Sequence, residues 1–486
     1  MWEVPINSEG GMASSTQARP STPVRIPVEV WRVAAVIIVG SFMSTLNSSL
    51  INVGLNTISR DLSVPLAQVQ WVISGYLIAF AAVLPISAWL SGRIGAGRLW
   101  LIALAGFTVS SGLCSLAPNL PMLVALRVLQ GVTGALLVPT GQTVVGHLAG
   151  PERMGRVLNS TKVVSFLAPV VGPVIGGLII SGLSWRWLFL VNVPIGAIAF
   201  VVGLRLVPHG TPDTARGFDL PGFVLVMVGL PMTIFGVSAL GQQARGLDTG
   251  WIVAILLVGL VVLALFARRA LRIPHPVLDL RLFTNRVYTA AATSVFFTGA
   301  ALLGVMVLFP LYFQLIRHQS VLESGLSMLA IGLGAALSMP FGGVLTDRIG
   351  GGVISAAGIV ASALSVVPLL FLRADADLIL VEVCQVITGF GLGLASMPAL
   401  SVAYATVPRD KLAHATSEAN IIQRVGGSIG ATTLVVAIGN HGVPNLRSFQ
   451  VACGWLVGGL TIAVVLAGWL LVEERRLHRN PASVSA

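Results

Sequence analysis

Long apolar runs separated by short polar segments are the main feature of this sequence. A helix needs about 20 mostly apolar residues to cross the hydrocarbon core of a bilayer. Fourteen runs approach or exceed that length, and they lie near residues 31–56, 68–91, 99–117, 121–146, 157–181, 186–207, 218–240, 251–268, 287–316, 324–346, 352–371, 378–405, 413–438 and 450–472. We therefore predict an all-α integral membrane protein with fourteen transmembrane helices.

The composition excludes several classes of protein. Apolar residues make up 55% of the 486 residues and charged residues only 10%, with a mean hydropathy of +0.90. A soluble domain carries about 25% charged residues. So small a charged fraction cannot cover a soluble surface, which excludes a soluble enzyme, a disordered protein and a nucleic-acid binder. Because Cys114, Cys384 and Cys453 all lie inside apolar runs, we expect buried thiols rather than disulfides.

The basic residues predict the orientation in the membrane. If the N-terminus is cytoplasmic, twenty of the 29 Lys and Arg residues lie in cytoplasmic segments and six on the other side. Cytoplasmic loops carry such an excess, so we expect both termini in the cytoplasm. The same excess accounts for the net charge of +11 without a nucleic-acid partner. Two lysines against 27 arginines are typical of a GC-rich bacterial genome, which suggests a bacterial inner or plasma membrane.

An internal repeat relates the two ends of the chain. Residues 90–97 (LSGRIGAG) and 345–352 (LTDRIGGG) are identical at five of eight positions, and a sixth position pairs Ser91 with Thr346. The first copy joins spans 2 and 3, and the second joins spans 10 and 11. Pro139 in span 4 and Pro398 in span 12 have nearly the same offset. Each span of the first half therefore corresponds to the span eight places later, as in transporters built from paired six-helix halves.

The repeat and the chain ends define five segments. No apolar run precedes Trp31, so the N-terminal residues are expected to be a tail and not a signal peptide. We predict a flexible cytoplasmic tail at 1–30, an N-terminal six-helix bundle at 31–207, two extra transmembrane helices and a cytoplasmic linker at 208–285, a C-terminal six-helix bundle at 286–472 and a cytoplasmic tail at 473–486.

Five stretches, in order along the first half, match the motifs of one known family. They are Leu46–Asn56 in span 1, Gly92–Arg98 after span 2, Arg127–Gly134 in span 4, Gly172–Gly177 in span 5 and Trp185–Pro194 before span 6. With fourteen spans, the chain resembles a major facilitator superfamily transporter of the fourteen-helix drug:proton antiporter branch, the multidrug efflux type. The resemblance covers nearly all of residues 30–472 and implies the major facilitator fold.

Two positions depart from the family pattern. The branch usually has Asp where Asn47 stands and implicates that acid in proton coupling, and the signature loop usually has Asp where Gly92 stands. The second copy of the loop keeps Asp347 and Arg348. Asn47 leaves three alternatives open: coupling has moved to another acid, the protein is an uncoupled uniporter, or the chain is an engineered Asp→Asn variant.

Charged residues inside apolar spans are candidates for function because an unpaired charge in the bilayer is costly. Arg127 and Asn47 lie at similar depths, so we expect a contact between them. A carboxyl in a low-dielectric cavity can exchange protons near neutral pH. Glu418 is the deeper candidate and Glu382 the shallower. The predicted proton-coupling and central-cavity residues are Asn47, Arg127, Gln130, Glu418, Arg424 and Glu382, with Trp71, Tyr76, Phe80, Gln142 and Met397 as further cavity candidates.

Two further sets of residues have expected mechanical roles. Proline frees backbone carbonyls in a helix and glycine permits close helix contact, which predicts a kinked gating helix at Pro169, Gly172, Pro173, Gly176 and Gly177. Arginines in the repeated loops can hold carboxylates or carbonyls across the two bundles. That geometry predicts a cytoplasmic latch at Arg93, Gly95, Arg98, Asp347, Arg348 and Gly350. A packing seam and plain positive loops are the simpler interpretations.

The resemblance implies secondary active export of hydrophobic small molecules, such as drugs or antibiotics, by proton-coupled alternating access. A lipid or lipid-precursor exporter of the same fold is the alternative. No nucleotide-binding glycine motif occurs, so the proton gradient is the expected energy source, with no cofactor or metal. Few acids in the cavity favour neutral or weakly acidic substrates over dications. The expected partners are a small hydrophobic substrate and membrane lipids, and the protein is expected to be a monomer and not an enzyme.

Overall fold

Helices make up nearly all of the described chain, and no strand is found in it. The computed structural model describes residues 26–150, 157, 167–168, 171–172, 174–212, 217–242, 248–373, 376–439 and 445–479. The predicted N-terminal tail up to residue 25, the end of the predicted C-terminal tail, Pro169 and Pro173 lie outside these residues.

The fourteen predicted runs each contain helical residues. The helices are α1 (Val28–Asp61), α2 (Trp71–Ile94), α3 (Ala96–Ser115), α4 (Leu120–Ala149), α5 (174–182), α6 (Trp187–Leu206), α7 (Leu220–Gln242), α8 (Thr249–Ala270), α9 (Arg286–Ile316), α10 (Leu329–Ile349), α11 (Gly351–Phe371), α12 (Leu378–Ala405), α13 (Arg409–Ile438) and α14 (Leu446–Arg479).

Twelve of these helices are long and apolar enough to cross a membrane in the described part of the chain. The other two are α5, which is only partly described, and α10, whose apolar stretch is shorter. A fourteen-span arrangement is consistent with this result. The long run at 287–316 is a single helix, α9.

The sequence repeat is also a repeat of backbone geometry. Gly95 joins α2 to α3 with φ +92°, and Gly350 joins α10 to α11 with φ +93°. Residues other than glycine are strained at such angles, so glycine is required at both joints. Pro139 and Pro398 lie inside α4 and α12, again in matching helices.

The hydrophobic core divides differently on the two sides of the bundle. Val30 near the start of α1 and Leu470 near the end of α14 belong to the same buried cluster. We call the side of the bundle that holds this cluster the terminal side. That cluster contains residues from both halves, including Val144 and Met397. We call the opposite side the far side. There the first half has its own cluster, which contains Trp185, and the second half has another, which contains Tyr312. The two halves are thus packed together on the terminal side.

The two extra helices pack beside the junction of the halves. α7 contacts α8, and it also contacts α2 of the first half and α13 of the second. The Ser238 and Ser428 hydroxyls, on α7 and α13, are hydrogen-bonded at 3.0 Å. After α8, the linker folds back so that Val277 and Leu278 join the small core of this pair. α7 therefore covers one edge of the junction between α2 and α13.

Candidate functional site

A buried polar network joins four helices of the first half. Asn47 on α1, Arg127 on α4 and Gln130 on α4 are all fully buried. Gln130 Oε1 accepts a hydrogen bond from Arg127 Nη1 at 2.5 Å and another from Asn47 Nδ2 at 3.3 Å. Asn47 and Arg127 are therefore joined through Gln130, and the hydrogen bonds of the described residues include no direct one between them. One turn separates Arg127 from Gln130 on α4, which places both side chains on the same face.

Two residues that the sequence analysis did not single out complete this network. Gln130 Nε2 donates to Ser111 Oγ on α3 at 2.7 Å. Asn192 Nδ2 on α6 lies 3.4 Å from Asn47 Oδ1 and 3.3 Å from Ser111 Oγ. Asn192 lies inside the Trp185–Pro194 stretch that matches the family, which was the available signal. Ser111 has no sequence signal, because serine is common in packed membrane helices.

Arg127 is held by an aromatic ring as well as by hydrogen bonds. Its Nε donates to the Val72 carbonyl at 2.8 Å, and its Cζ lies 4.2 Å from the centre of the Tyr76 ring. The Tyr76 and Phe80 rings on α2 are 5.9 Å apart. Arg127 Nη2 is buried, and no hydrogen-bond partner is found for it in the described chain. The guanidinium does not reach the outer surface, so snorkelling is not observed.

A second arginine approaches the same aromatic pair from the other half. Arg424 on α13 places its Cζ 3.9 Å from the centre of the Phe80 ring. The α13 helix has 30 residues, and Arg424 is close to its middle. Arg424 therefore lies near mid-membrane, and its contact with Phe80 crosses the junction between the halves.

Polar side chains close the junction on the terminal side. Ser87 Oγ on α2 and Ser417 Oγ on α13 are 2.7 Å apart. Thr143 Oγ1 and Thr416 Oγ1 are 3.0 Å apart, and Asn420 Nδ2 donates to Gln142 Oε1 at 2.8 Å. We call the residues of these three pairs the seam. Its hydrogen bonds are made by neutral groups, which are easier to rehydrate than charges when the halves separate.

Glu418 occupies a different place from the other predicted cavity residues. It is buried on the terminal half of α13, beside the seam, and its Oε2 accepts a hydrogen bond from Tyr288 Oη on α9 at 2.9 Å. Its Oε1 is buried, and no hydrogen-bond partner is found for it in the described chain. Glu382 is partly exposed, and it lies near the far end of α12. Glu418 and the Asn47 network are therefore two separate polar sites.

The glycines of the predicted gating helix pack on α1. A Cβ at Gly172 would lie 2.3 Å from Ser49 Oγ, and one at Gly176 would lie 3.3 Å from Val53 Cβ. Four residues separate these glycines, so they share a helix face. Among the described residues, no heavy atom lies within 4 Å of a Cβ built at Gly177. Gly177 is one residue further along and points about 100° away.

The repeated loops are anchored within their own halves. The Arg98 backbone N–H donates to the His209 carbonyl at 3.3 Å, in the segment that follows α6. In the second half, Glu474 on α14 accepts hydrogen bonds from the backbone N–H groups of Gly351 and Gly352. The segment after α6 thus holds the start of α3, and the end of α14 holds the start of α11. A latch between the halves through Arg93 and Arg348 stays a prediction.

Comparison with known proteins agrees with this two-half architecture. The model of the major facilitator superfamily matches residues 37–431. The chain belongs to the major facilitator superfamily. It is 34% identical over 439 residues to a multidrug resistance protein B homolog of Mycobacterium tuberculosis, covering 90% of this chain and 80% of that protein. It is 30% identical over 404 residues to a riboflavin transporter of Clostridioides difficile, covering 82% and 86%.

A solved structure of the superfamily shows the same fold. The chain aligns with a proton:xylose symporter at a TM-score of 0.62 and 12% identity, covering 90% of this chain and 95% of the symporter. Membership of the major facilitator superfamily makes this protein a transporter rather than an enzyme, as the sequence predicted. It is a multi-pass membrane protein with multidrug-resistance relatives among bacteria.

Proposed function

We propose that this transporter exports hydrophobic small molecules by alternating access, driven by inward proton flow. The observation that carries the proposal is the junction of the halves. The junction is closed by neutral hydrogen bonds on the terminal side. Arg424, the polar group near mid-membrane, lies on the far side of these hydrogen bonds. If the termini are cytoplasmic, as the arginine distribution predicts, this conformation is closed to the cytoplasm. The substrate would then leave on the far side.

We further propose that Glu418 carries the coupled proton. Asn47 holds the position where the branch usually has Asp, and an amide side chain cannot gain or lose a proton near neutral pH. Glu418 is an intramembrane carboxyl next to the seam residues Thr416 and Ser417, on the same helix. A buried carboxylate is costly, and protonation removes that cost. Protonation at Glu418 therefore changes the energy of burying the terminal part of α13, which carries the seam residues Thr416 and Ser417.

The remaining parts of the proposal concern energy and assembly. The proton gradient supplies the energy and no cofactor is bound. The protein works as a monomer in the bacterial inner membrane with both termini in the cytoplasm, and its partners are the substrate and the surrounding lipid. These statements rest on the sequence, through its basic loops and its lack of a nucleotide-binding motif.

The test is transport of a lipophilic dye in proteoliposomes, with and without an imposed pH gradient. We expect this chain to concentrate dye only with the gradient, Glu418→Gln to lose that dependence, and Glu382→Gln, the matched control, to keep it. If this chain merely equilibrates dye while Asn47→Asp concentrates it, coupling belongs to position 47. Failure of both proteins to move dye would overturn drug export.

A lipid-like substrate is the second candidate, favoured by a groove in the second half. The groove has a volume of about 560 Å³ and lies between α9, α13 and α14. Its lining is apolar, and Trp455 and Ile462 at its edge are exposed on the helix surface. Such a surface suits an acyl chain. Gradient-dependent movement of a fluorescent phospholipid across the proteoliposome membrane, without dye transport, would favour this candidate.

A further inference from the structure

The junction between the halves contains a cationic group that the proposed proton path does not use. Arg424 lies near the middle of α13, and it is exposed in the folded chain. A charged residue at that depth costs several kcal/mol unless it is hydrated or paired. Neither an ion pair nor a hydrogen bond is found for its guanidinium among the described residues, where its contact is the Phe80 ring.

The position of Arg424 relative to the seam identifies the space that it borders. Ser417 on α13 and Ser87 on α2 form a seam pair. Arg424 and Phe80 lie on the same two helices, each seven residues from its seam serine in the direction of the far side. Seven residues correspond to about 10 Å of helix. The guanidinium of Arg424 therefore lies about 10 Å from the closed seam, toward the far side. Because it rests against the opposite half, its exposed surface borders the space between the halves and not the lipid.

The surroundings of Arg424 favour an anion. The nearest acid along α13 is Glu418, which precedes it by six residues, or about 240° around the helix. That acid is buried beside Tyr288. Arg127 adds a second cationic group on the other side of the aromatic pair, 4.2 Å from the Tyr76 ring. Arg424 is thus the exposed group of this cluster, while Arg127, Tyr76 and Phe80 are buried behind it and keep its surroundings positive and aromatic.

The chemistry of the guanidinium then defines the ligand. We propose that Arg424 binds the anionic group of the transported molecule, and that the preferred substrates are amphipathic organic anions such as aromatic carboxylates. A ring stacked on one face of a guanidinium leaves the N–H donors at its edge available. Those donors match a carboxylate in a two-point geometry. The apolar body of the ligand would pack in the space between the halves.

This assignment rests on the proposed export function, but binding tests it separately. We would measure binding to the protein in lipid nanodiscs with three pyrene probes that share one apolar body: a pyrene butanoate, its methyl ester and a pyrenylbutyl trimethylammonium. Empty nanodiscs correct for partition into lipid. We expect the butanoate to bind about 10- to 100-fold more tightly than the ester, the range of one charge-assisted hydrogen bond, and the ammonium to bind least.

The variants test whether Arg424 is responsible. Arg424→Gln should remove the preference for the butanoate and leave ester binding unchanged, and Arg424→Lys should keep part of it. Arg447→Gln, at an exposed arginine at the start of α14, is the matched control and should behave as the unaltered chain. Equal or tighter binding of the ammonium would overturn the proposal, and so would an unaltered preference in Arg424→Gln.

Transport separates this inference from the proposed function. In proteoliposomes with a pH gradient, the butanoate should be concentrated by the unaltered chain and not by Arg424→Gln. If the butanoate binds through Arg424 but no probe is concentrated by the gradient, proton-driven export fails while the anion site stands. If the ammonium alone is concentrated, export stands and the anion assignment fails.

Discussion

The carboxylate of Glu474 caps the first turn of α11, where its Oε1 accepts a hydrogen bond from the Gly351 backbone N–H at 2.9 Å. Its Oε2 accepts a second one from Gly352 at 2.7 Å. The first N–H groups of a helix have no partner within the helix and carry a partial positive charge. A single side chain from the last helix thus ties the second copy of the repeated loop to the end of the second half.

We expect Glu474→Gln to destabilise the second half by about 2 kcal/mol, because charge-assisted hydrogen bonds are stronger than neutral ones. The measurement is the thermal unfolding midpoint in detergent. Glu473→Gln is the matched control, since the Glu473 carboxylate pairs with Trp469 and Arg476 on its own helix. It should lose less stability. Equal losses in the two variants would show that the cap contributes nothing of its own.

The seam gives a prediction for cross-linking. With Cys114, Cys384 and Cys453 replaced by alanine, Ser87→Cys and Ser417→Cys together should form a disulfide, because the native hydroxyls are 2.7 Å apart. The cross-link should stop transport, and reduction should restore it. Ser111→Cys combined with Ser417→Cys is the negative control. Full transport by the cross-linked protein would exclude opening of the halves at the seam.

The Asn47 network predicts a large effect for one amide. Gln130→Leu removes the acceptor shared by Arg127 and Asn47, so a buried charge is left with fewer partners. We expect a loss of about 3 kcal/mol or more. Gln142→Leu on the same helix removes only a neutral hydrogen bond with Asn420 and should cost about 1 kcal/mol. Thermal unfolding of the two variants side by side makes the comparison, and similar losses would contradict it.

The linker after α8 should respond to acid. Burial favours the neutral form of Asp279, but the hydrogen bond and the charge of Lys411 outweigh it, so the pKa of Asp279 lies below its ordinary value. The Nζ of Lys411 is 2.8 Å from Asp279 Oδ2. A carboxyl with a lowered pKa stabilises the fold above its unfolded pKa, about 3.9, and this contribution falls away as the pH drops below that value.

The corresponding experiment follows stability against pH from 7 to 3. The difference in unfolding midpoint between the unaltered chain and Asp279→Asn should stay constant down to about pH 4 and then shrink. Lys411→Gln should reduce that difference across the whole range. A difference that grows as the pH falls would contradict the sign of the shift.

The sequence by itself determined the helices and the repeat of this protein. The runs predicted at 99–117 and 378–405 agree closely with α3 and α12, and the run at 287–316 is the one helix α9. These features are local, because the bilayer fixes the length of each apolar helix and the backbone cannot stay unpaired in lipid. The sequence also showed Gly95 and Gly350 at matching places in the repeated loops. The structure gives both a positive φ, a conformation that favours glycine.

Only the tertiary structure decided which side chains meet. Membrane helices are apolar on most faces, so hydropathy does not tell which face packs against which neighbour. Gln130 on α4 lies between Arg127 and Asn47 because α4 packs with that face toward α1. Arg424 on α13 lies on Phe80 because the two residues are at the same depth on α13 and α2. Likewise, nothing in the sequence assigns Glu474 to the start of α11. These contacts join residues far apart in the chain, and helix packing alone brings them within reach.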